Sequence, residues 1–247
     1  MTAIKLCGLR EPEHVELAVA LGVEFIGLVF APRSRRRVTV EEAKRALLPL
    51  GLRSAAPVSL IHQGIAPGRW FQRCMAALSE RLEERRPLVV GVFADQPPAL
   101  INAITDAAGL DLVQLSGGEP WETALALKRP AIKVLHVWPE ASAQSLLAHY
   151  EIGMAAAVLL DTGTRDAAGG TGRPFDWSVA AEFGRRMPYI LAGGLNADNV
   201  GEAIRIARPW GVDVSSGIER DGRKNPDLIR AFVQAVREAD ASSRACC

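Results

Sequence analysis

Cysteine is scarce in this chain. Cys7, Cys74, Cys246 and Cys247 are the only four among 247 residues. They lack the regular spacing of a disulfide framework, and no Cys/His cluster has zinc-ligand spacing. That argues against a disulfide-stapled module and a zinc fold, and predicts reduced thiols in the cytoplasm. Charge of one sign is also missing. The 29 basic and 28 acidic residues leave a net charge of +1, too little for a footprint on nucleic acid or an anionic membrane. Aromatic residues make up only 6%, and too few interleave with the basic ones to build a base-stacking platform. No apolar run approaches the roughly 20 residues that span a bilayer. The chain enters Ile4-Lys5-Leu6-Cys7 almost at once, with no basic stretch and apolar segment of a secretory leader before it. The Cys246-Cys247 pair does not fit the C-a-a-X pattern and reads as a disordered tail. No Pro/Gly/Ser-rich linker divides the sequence, so a single domain is expected. What remains is 49% apolar residues, ample for a large core.

The apolar residues are organised as an alternation. Short β-rich runs at Ala3–Cys7, Phe25–Phe30, Leu88–Phe93, Leu112–Leu115, Ile132–Val137, Ala157–Leu160, Tyr189–Ala192 and Val212–Ser215 read as strands. Helical spacing follows each, at Glu13–Leu21, Val40–Leu48, Pro98–Ala107, Trp121–Lys128, Ala141–His149, Trp177–Phe183, Ala197–Ala207 and Pro226–Arg237. Asn196 is a candidate cap for the seventh helix, and Asn225 before Pro226 for the eighth. Eight such units in roughly 250 residues predict an α/β fold of the (β/α)8 barrel type, one domain over residues 1–240 with a tail at 241–247. An open doubly wound sheet is the alternative. It usually carries G-x-G-x-x-G after its first strand, where this chain has Cys7-Gly8-Leu9. Residues 49–87 are too long for one connection. Trp70, Phe71, Cys74, Met75, Leu78 and Leu82 share one helical face there, which predicts an enlarged second helix with a decorated loop on the outside of the barrel. The functional reading of the same insertion is a subunit contact or a partial lid.

Several strand ends carry chemistry. Catalytic groups of such barrels come from the carboxyl ends of the strands. Cys7 ends the first strand; it is either a small apolar filler or a base, and a base needs a lowered pKa or a proton path through the substrate. Asp161 follows the sixth apolar run; it either closes an Asx turn or faces a polar cavity, where burial would keep it protonated as an acid. Thiol and carboxyl together suit the transfer of protons at one carbon and one oxygen. Gly193-Gly194 and Ser215-Ser216-Gly217 fall after strands seven and eight, where barrel enzymes often hold phosphate. Gly169-Gly170-Thr171-Gly172 adds a glycine-rich loop after strand six. Arg33, Arg35, Arg36 and Arg37 form a basic loop, either a solvated charge run or a clamp for a substrate carboxylate. Lys5, one layer below Cys7, is costly unless paired, and Asp213 on the neighbouring eighth strand is its predicted partner. Together these features predict an enzyme acting on a phosphorylated small molecule.

In this order the strings resemble those of the phosphoribosylanthranilate isomerase family of tryptophan biosynthesis. They read Lys5-Leu6-Cys7-Gly8, Gly27-Leu28-Val29-Phe30 followed by the Ser34–Arg37 loop, Val113-Gln114-Leu115, Leu160-Asp161-Thr162, Gly169–Gly172 with Phe175-Asp176-Trp177, Ala192-Gly193-Gly194-Leu195 and Asp213-Val214-Ser215-Ser216-Gly217. The resemblance implies a barrel and an Amadori rearrangement of N-(5-phosphoribosyl)anthranilate, with no cofactor and no metal. It implies Asp161 as general acid and Cys7 as general base. Arg36 would hold the anthranilate carboxylate. Gly193, Gly194, Ser215, Ser216 and Gly217 would hold the phosphate, and Gly170, Thr171 and Gly172 a loop over the site. The expected enzyme is cytoplasmic, a monomer or homodimer, with no nucleic-acid or membrane partner.

Two features depart from the family pattern. Many members have histidine where this chain has Ser116, and the insertion at 49–87 is atypical. The related isomerase of histidine biosynthesis, or an enzyme accepting both substrates, is the nearest rival. It uses aspartates as acid and base, whereas strand one here ends in cysteine and strand five reads His136-Val137-Trp138. The two halves also show no internal repeat. Indoleglycerol phosphate synthase shares the phosphate loops, but its lysine pair has no match in place. A barrel that binds phosphate without catalysis is a further alternative, yet it would need neither Cys7 nor Asp161.

Overall fold

A computed structural model describes residues 1–51, 69–148, 153–163 and 175–245. Eight parallel strands close into a barrel in sequential order. They are β1 (Ala3–Cys7), β2 (Phe25–Val29), β3 (Leu88–Phe93), β4 (Leu112–Leu115), β5 (Ala131–Val137), β6 (Ala157–Thr162), β7 (Ile190–Leu191) and β8 (Gly211–Val214). Strands covered on both faces need near-continuous apolar runs, and β1, β2, β3 and β4 are buried throughout. The seam closes where β1 pairs with β8, Lys5 lying opposite Asp213.

The helices are α1 (Pro12–Ala20), α2 (Val40–Ala46), α3 (Trp70–Glu84), α4 (Pro98–Ala108), α5 (Ala143–Ala148), α6 (Trp177–Gly184), α7 (Val200–Ala207) and α8 (Pro226–Ala245). Local chemistry sets several ends. Thr39 and Glu42 form a reciprocal capping box on α2. Asn225 Oδ1 accepts from the amides of Asp227 and Leu228 at the start of α8. Elsewhere the structure departs from the sequence reading. Asn196 caps a turn rather than α7 itself, accepting from Asp198 and Asn199, and the helix begins later at Val200. Residues Trp121–Ala126 form a 3-10 helix, with Pro120 before it. The predicted tail at 241–247 is corrected as well. Helix α8 runs to Ala245, so of that stretch Cys246 and Cys247 alone lie outside the described residues.

The insertion does not lengthen α2. That helix stops at Ala46, followed by a 3-10 turn at Leu48–Leu50, and it packs between α1 and α4. The apolar face read from Trp70 to Leu82 becomes the separate helix α3, with all six of those residues buried. Its Trp70 Nε1 donates to the Ala155 carbonyl, just before β6, at 2.7 Å. At its other end Arg85 pairs with Asp111 and Arg86 with Glu24, just before β4 and β2. Helix α3 therefore crosses the N-terminal face of the barrel. A lid would have to cover the opposite face, so the described helix is a floor and not a lid.

Candidate active site

Because β1 and β8 are in register, Lys5 and Asp213 emerge side by side, and Lys5 Nζ lies 2.9 Å from Asp213 Oδ1. Both are buried. Burial alone would lower the Lys5 pKa, but Asp213 and Cys7 outweigh it and raise it, so Lys5 stays charged. Cys7 is two residues further along the same face. Its neighbour across the sheet is Gly27, where a Cβ would lie 2.9 Å from Cys7 Sγ and 3.1 Å from Lys5 Nζ. Glycine is needed there to leave the thiol and the ammonium room. Val29, Val92 and Ala31 pack with Cys7 into a small apolar wall. Of the two routes to a base, a lowered pKa or a proton path through the substrate, the first is not the one found. Burial pushes the pKa of Cys7 up, against the pull of Lys5, so it rests as a thiol.

Asp161 lies on β6 in register with His136 of β5. Its pKa is raised to about 6, first by burial and then by Asp213, with His136 opposing. Asp161 stands at the carboxyl end of β6, the same end of the closed parallel barrel at which Cys7 ends β1. Thr162 donates its amide to Asp161 Oδ1 at 2.8 Å. His136, set aside in the sequence reading because it is not an acid, thus stands next to the carboxyl. Its Nε2 is 3.1 Å from the Ser116 carbonyl oxygen. That oxygen can only accept, so Nε2 carries the proton. Ser116 itself takes a bond from Gln114 Nε2.

The two glycine-rich turns after β7 and β8 are joined. Gly193 and Gly194 have φ of 88° and 66°, and a Cβ on Gly193 would strike the Thr162 side chain. Asn196 bridges to Gly217, which sits so close to the Leu195 carbonyl that no side chain fits. Ser215 Oγ donates to the Cys7 carbonyl at 3.3 Å. Ser216 accepts the Glu219 amide at 3.0 Å, closing the turn. Gly170, Thr171 and Gly172 lie outside the described residues.

Of the four arginines after β2, Arg36 turns inward. Its Nε and Nη2 donate to the two oxygens of Glu219 at 2.6 and 2.8 Å. Arg35, mostly exposed, also reaches Glu219. Glu219 was not foreseen. It lies on β9 (Glu219–Arg220), which pairs with β10 (Arg223–Lys224) through an Asp221-Gly222 turn. Both turn residues have positive φ, the pattern that favours Asp-Gly in tight hairpins. That dipeptide, directly after the Ser215–Gly217 turn, was the available signal. Lys224 was missed too. Its Nζ lies 2.9 Å from Glu219 Oε1 and donates to the Ser215 carbonyl at 2.8 Å. Burial would raise the Glu219 pKa, but hydrogen bonds from Arg36 and Lys224 hold it down at about 2. A Cβ on Gly8 would meet Arg36 Cδ, Lys224 Nζ and Ser215 Oγ, so this cluster adjoins the end of β1. It also lines a cavity of about 460 Å³ with Arg10, His14 and Arg45, and with the carboxylates Glu11 and Glu42.

The arrangement therefore offers an acid, a buried thiol, a cationic corner and two linked glycine turns at the C-terminal ends of the strands. Comparison with known proteins is consistent across sequence and structure. The family described as N-(5'phosphoribosyl)anthranilate (PRA) isomerase matches residues 49–235. An N-(5'-phosphoribosyl)anthranilate isomerase of Dehalococcoides mccartyi is 35% identical, with 98% of this chain and 99% of that one covered. The phosphoribosyl anthranilate isomerase structure from Thermotoga maritima superposes with a TM-score of 0.72 at 28% identity, covering 96% of this chain and 100% of that one. Another such isomerase, solved with reduced 1-(o-carboxyphenylamino)-1-deoxyribulose 5-phosphate, gives 0.69 at 28% identity over 96% and 100% of the two chains.

Proposed function

The chain belongs to the N-(5'-phosphoribosyl)anthranilate isomerase family, and we propose that it catalyses the Amadori rearrangement of N-(5-phosphoribosyl)anthranilate to 1-(o-carboxyphenylamino)-1-deoxyribulose 5-phosphate in tryptophan biosynthesis. The observation that carries this reading is Asp161, a carboxyl raised to about 6, inside the same barrel mouth as the Cys7 thiol.

Asp161 gives its proton to the furanose ring oxygen. The bond from that oxygen to C1 breaks, and the nitrogen lone pair forms a C1=N Schiff base. Cys7, as thiolate, takes the proton from C2, and the released electron pair makes C1=C2 while the nitrogen becomes neutral. The enolamine then moves a proton from the C2 hydroxyl to C1, giving the ketone. Atoms and electrons balance within the substrate, so the step draws on no external oxidant or reductant. Cys7 ends as a thiol and Asp161 as a carboxylate, and one proton passed between them through solvent resets the site. Since Cys7 rests protonated, the productive thiolate–acid pair is the minority arrangement of that same proton.

Val29, Val92 and Ala31 beside Cys7 suit the aromatic ring, and Arg36 suits its carboxylate. The linked turns at Gly193-Gly194 and Ser215-Ser216-Gly217 suit the phosphate. Gly170, Thr171 and Gly172 belong to this reading as a loop over the site. The reading has the enzyme at work in the cytoplasm, as a monomer or homodimer.

The test is single-turnover conversion of freshly generated N-(5-phosphoribosyl)anthranilate, followed by loss of anthranilate-type fluorescence. Wild type converts it, and Cys7→Ser slows by at least about a hundredfold, since a positioned acid or base typically contributes 10²–10⁴. No conversion by well-folded wild type overturns the assignment.

A further inference from the structure

Glu219 uses the side edge of the Arg36 guanidinium, through Nε and one proton of Nη2. Of the five N–H donors of arginine, that leaves both Nη1 protons and one Nη2 proton, the end edge of the fork, without a partner among the described residues. Glu219 is itself fixed from another direction. Lys224 holds the oxygen that faces Arg36 Nε and simultaneously holds the Ser215 carbonyl. The side chains of Glu219 and Lys224 are each 5% exposed, so this is a built cluster and not a surface pair. One buried carboxylate sits among Arg36, Lys224 and the exposed Arg35. The corner keeps a surplus of positive charge.

We infer that Glu219 is the positioning residue that makes the site selective for a substrate carboxylate: it locks Arg36 with its end edge free, and Lys224 ties that lock to the phosphate turn at Ser215. The inference rests on the reading that Arg36 receives the carboxylate. A planar, preset fork loses little freedom when it binds, so the contribution falls on binding the carboxylate more than on proton transfer. Glu219 touches neither the thiol nor the acid. The hairpin of β9 and β10 is then a specificity element that links recognition at the two charged ends of one ligand.

The experiment compares two substrates: N-(5-phosphoribosyl)anthranilate and N-(5-phosphoribosyl)aniline, which lacks the carboxylate. Steady-state kcat and KM are measured for wild type, Arg36→Ala, Glu219→Gln and the Arg36→Lys/Glu219→Gln pair against Arg36→Lys alone, with melting curves for each. Wild type prefers the carboxylated substrate, and Arg36→Ala abolishes the preference. If wild type shows no preference, or Arg36→Ala keeps it, the role of Arg36 fails and the inference falls with it. With that role intact, Glu219→Gln raises KM for the carboxylated substrate by about tenfold, changes its kcat far less, and cuts the preference by a similar factor. Removing Glu219 from the Arg36→Lys protein adds little, because the fork it orients is already gone. Equal losses on both substrates, an unchanged preference in Glu219→Gln, or additive losses in the double variant overturn the inference while leaving the isomerase reading standing. Glu219→Asp, with the charge kept, discriminates a fold defect: recovery of stability without recovery of the preference agrees with a lock of fixed reach, and loss of both overturns it.

Discussion

Asp161, the acid of the proposed reaction, is buried at the expense of the fold. An unperturbed aspartate titrates near 3.9, whereas burial and Asp213 raise this one to about 6. The native state therefore binds that proton more tightly than the unfolded chain does. Its contribution to stability is fully present below about pH 4, declines as pH rises through about 6, and above that becomes a constant penalty of about 3 kcal/mol. Asparagine can still accept the Thr162 amide but carries no charge to bury. Asp161→Asn is expected to abolish turnover and to stabilise the protein at pH 7.5 by up to about 3 kcal/mol, with the gain fading toward pH 4. Urea unfolding at the two pH values measures this, and an equal difference at both would contradict the assigned cause. The presence of a carboxyl after the apolar run Ala155–Leu160 was legible in the sequence. Its neighbours were not. The pairing of Asp161 with His136 follows from the register of β5 and β6, and nothing local in either strand encodes that register.

Among the elements, legibility followed length and periodicity. The fully buried strands β1, β3 and β4 stand where their apolar runs predicted, since burial on both faces leaves little freedom in reading them. The face of α3 was equally visible, but its destination was not. Where a helix packs is decided by partners far along the chain, here Ala155, Asp111 and Glu24. The hairpin of β9 and β10 was missed because two-residue strands carry no period to read. The four arginines after β2 look alike by residue type, and only the family resemblance singled out Arg36, whose inward turn is set by Glu219. A consequence of the floor helix can be tested. Trp70→Phe keeps most of the buried area of the ring but deletes the bond from Nε1 to the Ala155 carbonyl. The expected cost is about 1–2 kcal/mol in stability, with kcat/KM within about twofold, because α3 covers the face opposite the site. A large loss of activity without a stability change would mean that α3 reaches the chemistry after all.

The whole molecule depends on closing a ring whose first and last strands are remote in sequence. Pairing of β1 with β8 makes the seam, and the same seam carries Lys5, Asp213, Cys7 and Ser215. Helix α8 fastens it from outside. Asp240 accepts both the backbone amide and the hydroxyl of Thr2 at 2.7 Å. Arg237 donates to the Thr2 carbonyl and pairs with Glu24, which in turn accepts the Ile4 amide. These contacts hold the entry to β1 through a helix that the sequence reading ended at Arg237, too early to include Asp240. Asp240→Ala removes two hydrogen bonds to a charged acceptor, at a cost of about 2 kcal/mol after solvent compensation. For a chain of this size that lowers the melting temperature by about 4–8 °C. Glu238, two positions away, is exposed, and its side chain accepts a bond from its helix neighbour Gln234. Glu238→Ala is the matched control and should stay within about 0.5 kcal/mol of wild type. Equal melting temperatures for the two variants would show that the seam is held by the strand pairing alone. A selective loss in Asp240→Ala would show that the clasp of α8 on Thr2 is part of what keeps the ring, and the site across it, closed.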